Sequence, residues 1–157
     1  MYTVQKLIKM KNILYFMFLS SVLLFSCGGS QPVKQSATAN ENKADRIEVI
    51  YFHAEHRCQS CLDIEANTKY TLETFFSNEM EEGNITYQTF NIDDEKNYAK
   101  AEKFQTWGSA LFLNVLHDGK SNKIELTNFA FLNCSNQLKF STELQEKISN
   151  ELKTLAL

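Results

Sequence analysis

The sequence predicts an α/β domain in the order β-α-β-α-β-β-α, built around a mixed four-stranded sheet and preceded by an export leader and a flexible tether. Three observations carry this prediction. Apolar runs of strand character alternate with runs of helical period. Residues 110–116 are nearly all apolar, as a strand covered on both faces is. Asp118 followed by Gly119 then offers a hairpin turn into a polar, alternating run. A β-α-β start requires a parallel pair and a hairpin requires an antiparallel one, so the sheet is mixed.

The elements follow in order. Residues 1–26 carry Lys6, Lys9 and Lys11 and no acid, and residues 13–25 are almost unbroken apolar sequence. A basic head and a short apolar stretch predict a secretory signal too short to span a bilayer comfortably. It closes on "LLFSC", which resembles the bacterial lipobox and implies cleavage before Cys27 and acylation of that residue; a plain signal peptide is the alternative. Residues 27–45 hold almost no large apolar side chain and read as a tether. The globular part is residues 46–157.

Within it, residues 46–52 read as a largely buried strand. Cys61, Ile64, Thr68, Leu72 and Phe75 then step by 3 and 4, placing them on one helical face, with Gly83 and Asn84 ending that helix. Residues 85–92 make a second strand. Asp93 and Asp94 cap a helix that is expected to run to Trp107 and stop at Gly108. The hairpin's second strand surrounds Ile124 and Leu126. Phe140, Leu144, Ile148, Leu152 and Leu155 form a closing amphipathic helix capped near Ser135. Trp107 and the phenylalanines are expected in the core, and His117 at the surface.

Charge excludes some functions. The chain has 16 basic and 19 acidic side chains; the leader takes three lysines, so the mature chain is 13 against 19, or net −6. That argues against nucleic acid and against electrostatic adhesion to anionic lipid, so membrane attachment is expected through acyl chains. No glycine-rich phosphate loop is present, and no cofactor is expected.

The chemistry sits in "YFHAEHRCQSCLDIEANT". Cys58 falls at a helix start and Cys61 one turn inside, on the core-facing stripe. Unpaired N–H groups at a helix N-terminus favour a thiolate there, and Arg57 acts in the same direction. An exposed attacking Cys58 and a shielded resolving Cys61 suit disulfide exchange, with His56 placed to move protons near neutral pH. The same cysteines with His53 and His56 read as H-x-x-H-x-C-x-x-C, a donor set for zinc, copper or arsenite. An inert disulfide in an interaction module is a third reading. Cys134 reads as a small buried hydrophobe.

A strand, C-x-x-C at a helix start, then α-β-α-β-β-α is similar to the thioredoxin core over residues 46–157. More narrowly, "YFHAEHRCQSC", "FNID" and "GSALFLNV" resemble thioredoxin-like lipoproteins of the nitrophenyl compound nitroreductase subunit ArsF family. The resemblance implies dithiol/disulfide exchange with a protein partner in the bacterial envelope, on a domain outside the cytoplasm. Three departures stand out. The thioredoxin proline that faces the dithiol from the start of the third core strand is replaced by Ser109 or Ala110. Tyr51 stands for the buried acid. The usual Trp-Cys-Gly-Pro-Cys is Arg57-Cys58-Gln59-Ser60-Cys61.

Overall fold

The computed structural model describes residues 45–155. The leader, Cys27 and the tether up to residue 44 lie outside the described residues. β1 (Arg46–His53) is followed by α1 (Gln59–Phe75), α2 (Ser77–Glu81) and β2 (Ile85–Asn91). A 3-10 turn (Glu95–Asn97), α3 (Tyr98–Lys103), β3 (Ala110–His117), β4 (Lys120–Glu125), α4 (Thr127–Asn133) and α5 (Gln137–Leu155) complete the fold. The sheet order is β2-β1-β3-β4. β1 runs parallel to β2 and antiparallel to β3, which is antiparallel to β4. This is the mixed four-stranded α/β arrangement predicted from the sequence, with the strand order of a thioredoxin-like core.

The period-two geometry of β1 divides its side chains between two cores. Ile47, Val49 and Tyr51 face a large core with Ile64 and Leu72 of α1, Ala130 of α4, and Phe140, Leu144 and Ile148 of α5. Ile50 and Phe52 face a smaller one with Ala101, Phe104, Ala110 and Phe112. The hairpin turn has Asp118 at φ 50° and Gly119 at φ 71°. Positive φ at both central positions matches the twist of the flanking strands and is why the second residue is glycine.

Several boundaries differ from expectation, each for a local reason. Phe75 is 41% exposed and Phe76 is 3% exposed. From Leu72 both the i+3 and the i+4 step are helical, and the chain takes the second. The backbone leaves helical geometry at Phe76 (φ −135°, ψ 24°) and restarts as α2, so α1 does not run to Gly83. The helix after β2 stops at Lys103, because Gln105 adopts φ 53° and the Thr106 N–H turns back to the Ala101 carbonyl, a left-handed C-terminal cap. Trp107 therefore lies beyond the helix and is 80% exposed rather than in the core. Leu126 is not in β4; it leads into α4, a helix the sequence did not announce, and is buried in the large core. Asn136 caps α5 by accepting the Lys139 N–H at 3.0 Å, next to the Ser135 position. Asp45, read as tether, accepts from the Asp118 N–H and meets His117 Nδ1 at 2.7 Å, so it belongs to the domain. Among the described residues no helix is long and apolar enough to cross a membrane.

Candidate functional site

The site is built where β1 ends and α1 begins. Cys58 is the N-cap of α1, with extended backbone (φ −76°, ψ 166°), and its carbonyl accepts the Leu62 N–H. Its side chain makes no capping bond and is exposed, which leaves the sulfur free of the backbone. Three residues on, Cys61 is on the inward stripe of α1 and 7% exposed. The two cysteines are free thiols with Sγ atoms 2.9 Å apart. A disulfide bond is about 2.05 Å long, so closing it needs only a small rotation of the exposed side chain.

Ser109, immediately before β3, places its hydroxyl 3.3 Å from Cys61 Sγ. The segment expected to lie against the dithiol does so, and supplies a hydroxyl instead of a proline ring. The Cys61 carbonyl accepts two further donors, the Tyr51 hydroxyl at 2.9 Å and Arg57 Nη2 at 3.1 Å. Burial by itself pushes the Cys61 thiol up, but hydrogen bonds from the Cys58 thiol, Ser109 and the Cys58 backbone outweigh it, and the net direction is down. Burial, with the Cys61 charge beside it, pushes the Tyr51 phenol up to about 12, so Tyr51 stays a proton donor at neutral pH.

Arg57 does not turn its charge outward beside Cys58. Besides the Cys61 carbonyl, it pairs with Glu65 through Nη1 at 2.5 Å and lies over the Tyr51 ring at 5.6 Å. Glu65 also takes Lys69 at 2.6 Å. Glu65 escaped the sequence reading because Arg57 precedes the helix, outside the i, i+4 register that relates Glu65 to Lys69.

His53 ends β1 with Nδ1 3.0 Å from the Ala54 carbonyl oxygen, and its ring is 6.1 Å from that of Tyr51. His56 is exposed on the loop. Among the described residues, the group of three or more metal-type ligand atoms lying within 4.8 Å of one another is Asp45, His117 and Asp118; it includes neither sulfur. The fold thus brings Cys58, Cys61, Tyr51, Ser109 and Arg57 together, and leaves the histidines at the margin.

An open groove of about 440 Å³ lies between the end of β2 and the start of β3. Ile92, Asp93, Tyr98, Glu102 and Trp107 are among its walls. Asp93 accepts the Glu55 N–H at 2.7 Å on the loop leading to Cys58, and Trp107 stands two residues before Ser109.

Neither a family model nor a curated protein matches the chain. Among solved structures it is similar to a thioredoxin from Thermus thermophilus, at 19% identity and a TM-score of 0.41, covering 63% of this chain and 73% of that one. A structure described as that of a malarial protein is 18% identical with a TM-score of 0.36, covering 56% of this chain and 94% of that one.

Proposed function

We propose that this chain is a membrane-tethered dithiol/disulfide protein of the bacterial envelope, exchanging electrons with a protein partner through Cys58 and Cys61. The observation that carries the reading is the pair itself: an exposed N-cap sulfur 2.9 Å from a buried one on the next turn. Access decides which sulfur attacks, and only Cys58 offers it. In the oxidising direction for this protein, the Cys58 thiolate attacks one sulfur of a partner disulfide, forming a mixed disulfide and releasing a partner thiolate. The Cys61 thiolate then attacks Cys58 Sγ, closing the Cys58–Cys61 disulfide and releasing the second partner thiolate. Two electrons pass to the partner, and the two protons lost by Cys58 and Cys61 balance those taken up by the partner's thiolates. Tyr51 and Ser109 favour Cys61 as a thiolate in the second step, in place of a buried acid. The Trp107 groove, rimmed by Asp93 and Glu102, would seat the partner's segment. Anchoring through Cys27 follows from "LLFSC", and the narrower resemblance to the nitrophenyl compound nitroreductase subunit ArsF family rests on the motifs quoted above.

The test is trapping. In the full-length chain, Cys61→Ser should accumulate a mixed disulfide with a disulfide-bearing protein substrate, and Cys58→Ser should not. A wild-type Cys58–Cys61 pair that never cycles in thiol/disulfide buffers would overturn the reading. A second reading, capture of a soft metal or metalloid ion by both sulfurs, is favoured by the Ser109 hydroxyl where a proline ring would cover them. Zinc, copper or arsenite binding by the reduced protein that is lost on Cys58→Ser and on Cys61→Ser would establish it, and no binding at micromolar concentration would end it.

A further inference from the structure

We propose that Glu65 is a positioning residue of the dithiol, acting through Arg57: it pins and neutralises the guanidinium that is hydrogen-bonded to the Cys61 carbonyl, and thereby biases the pair toward the disulfide. This rests on the dithiol reading above and adds what sets its balance.

Arg57 precedes the α1 N-cap, yet its guanidinium reaches forward to the second residue of the dithiol, giving Nη2 to Cys61 and Nη1 to Glu65. Tyr51 from β1 lies beneath the guanidinium and donates to the same carbonyl. Arg57 and Glu65 side chains are 19% and 15% exposed, and Arg57 Nε is buried with no protein acceptor. The guanidinium is thus largely withdrawn from water, where charges are screened less, and Glu65 is the carboxylate that answers it. Among the described residues, Lys69 on α1, Tyr87 on β2 and His53 at the end of β1 are further titratable groups around this cluster. Tyr87 stays neutral: burial first, then the charges of Glu65 and Tyr51, push its phenol up.

The sign follows from the half-reaction. The disulfide takes two electrons and two protons to give the dithiol, and part of the reduced form exists as thiolate. A positive charge beside the pair stabilises that thiolate and so favours the reduced side. An Arg57 balanced by Glu65 supplies little of this. Glu65→Gln frees the charge and should shift the equilibrium toward the dithiol. Arg57→Gln leaves Glu65 unanswered except by Lys69 and should shift it toward the disulfide. A merely structural clamp would move both variants the same way.

The experiment equilibrates the full-length chain and its variants with reduced and oxidised glutathione. The constant should move about tenfold in opposite directions for the two single variants, which for a two-electron couple is about 30 mV each way. The double variant should return to within about threefold of wild type, and Glu65→Asp, which restores the carboxylate, should lie between wild type and Glu65→Gln. Shifts of the same sign, or none beyond twofold, would overturn the proposal. The pH dependence of alkylation of the reduced thiols reads the same charge without any redox couple: its midpoint should fall in Glu65→Gln and rise in Arg57→Gln. Opposite shifts in alkylation with a wild-type pair that does not cycle would sink the exchange function while leaving the role of Glu65 standing. Unmoved midpoints would sink the role of Glu65 alone.

Discussion

The two faces of the sheet are covered unequally. One carries α1, α4 and α5 and holds most of the buried apolar side chains. The other is closed at the dithiol end by the six-residue α3, with Phe52 as the hub of a ring cluster that includes Phe90, Phe104 and Phe112 at centroid distances of 5.5 to 6.0 Å. At the opposite end it is closed by polar groups. Glu48 accepts from Arg46 at 2.9 Å and Asn114 at 2.8 Å, and Asn114 accepts from Ser121 at 2.6 Å. The thick face supports the helix that carries both cysteines. The thin face leaves room for the Trp107 groove. Stability and access are thus assigned to opposite sides of one strand, β1, whose Tyr51 reaches the dithiol from the first face while Phe52 organises the second.

The largest effect should come from the thick face. Phe140 is fully buried there and meets Phe129 at 5.1 Å. Phe140→Ala is expected to cost about 3–5 kcal/mol in denaturant unfolding. Phe104→Ala, on the thin face, should cost less, at or below the bottom of that range, because a short helix with solvent behind it can settle into the space. Equal losses would erase the distinction between the faces.

The next comparison lies within α1. Leu72→Ala should cost about 2–5 kcal/mol, and Phe75→Ala under about 1 kcal/mol, since Leu72 is buried and Phe75 is not. Chemical denaturation of the two variants side by side decides it; a costly Phe75 change with a harmless Leu72 change would put the stripe on the wrong side.

These two residues also show how far the sequence could be read. The stripe through Cys61, Ile64, Thr68 and Leu72 was legible because a helix repeats its inward positions at fixed spacing. The step to Phe75 was not, because two adjacent phenylalanines both satisfy the period and only the break at Phe76 chooses. Residues 110–116 and the Asp118–Gly119 turn were legible because strand burial and positive φ each demand particular residue types. α4 was not, being short and bounded by neither glycine nor proline. At the site, the cysteine spacing and the Ser109 position announced themselves. The Arg57–Glu65 pairing did not, since it joins a loop residue to the second turn of a helix, and no periodicity relates the two. Trp107 was misplaced because apolar character alone does not distinguish a core residue from one left beyond a helix cap.

A smaller effect concerns acid. Burial alone would raise the Glu65 carboxyl, but its bonds to Lys69 and Arg57 prevail and hold it below its ordinary 4.5. A carboxyl depressed in the folded state contributes stability that is present above its unfolded value and lost as pH falls through the folded one. Wild type should therefore lose about 0.5–1 kcal/mol more than Glu65→Gln between pH 6 and pH 3. Parallel stability curves for the two proteins over that range would remove Glu65 from the acid response.

Trp107 should give the smallest change in stability and the most direct measure of what the thin face is for. A tryptophan at 80% exposure buries little on folding, so Trp107→Ala should stay within about 0.5 kcal/mol of wild type in denaturant. It should also leave the glutathione equilibrium unchanged, because glutathione is too small to fill the groove. What should change is exchange with a protein disulfide. On the proposed reading a folded partner would present its sulfur to Cys58 while a neighbouring side chain lay against Trp107, Tyr98 and Ile92, and loss of the indole would remove much of that contact. The expected result is a slower reaction with a protein disulfide and an unaltered one with glutathione. If both slow equally, Trp107 acts on the dithiol itself and the groove is no part of recognition. If neither slows, the partner approaches from the side of α1, and the thin face is open for some reason other than access.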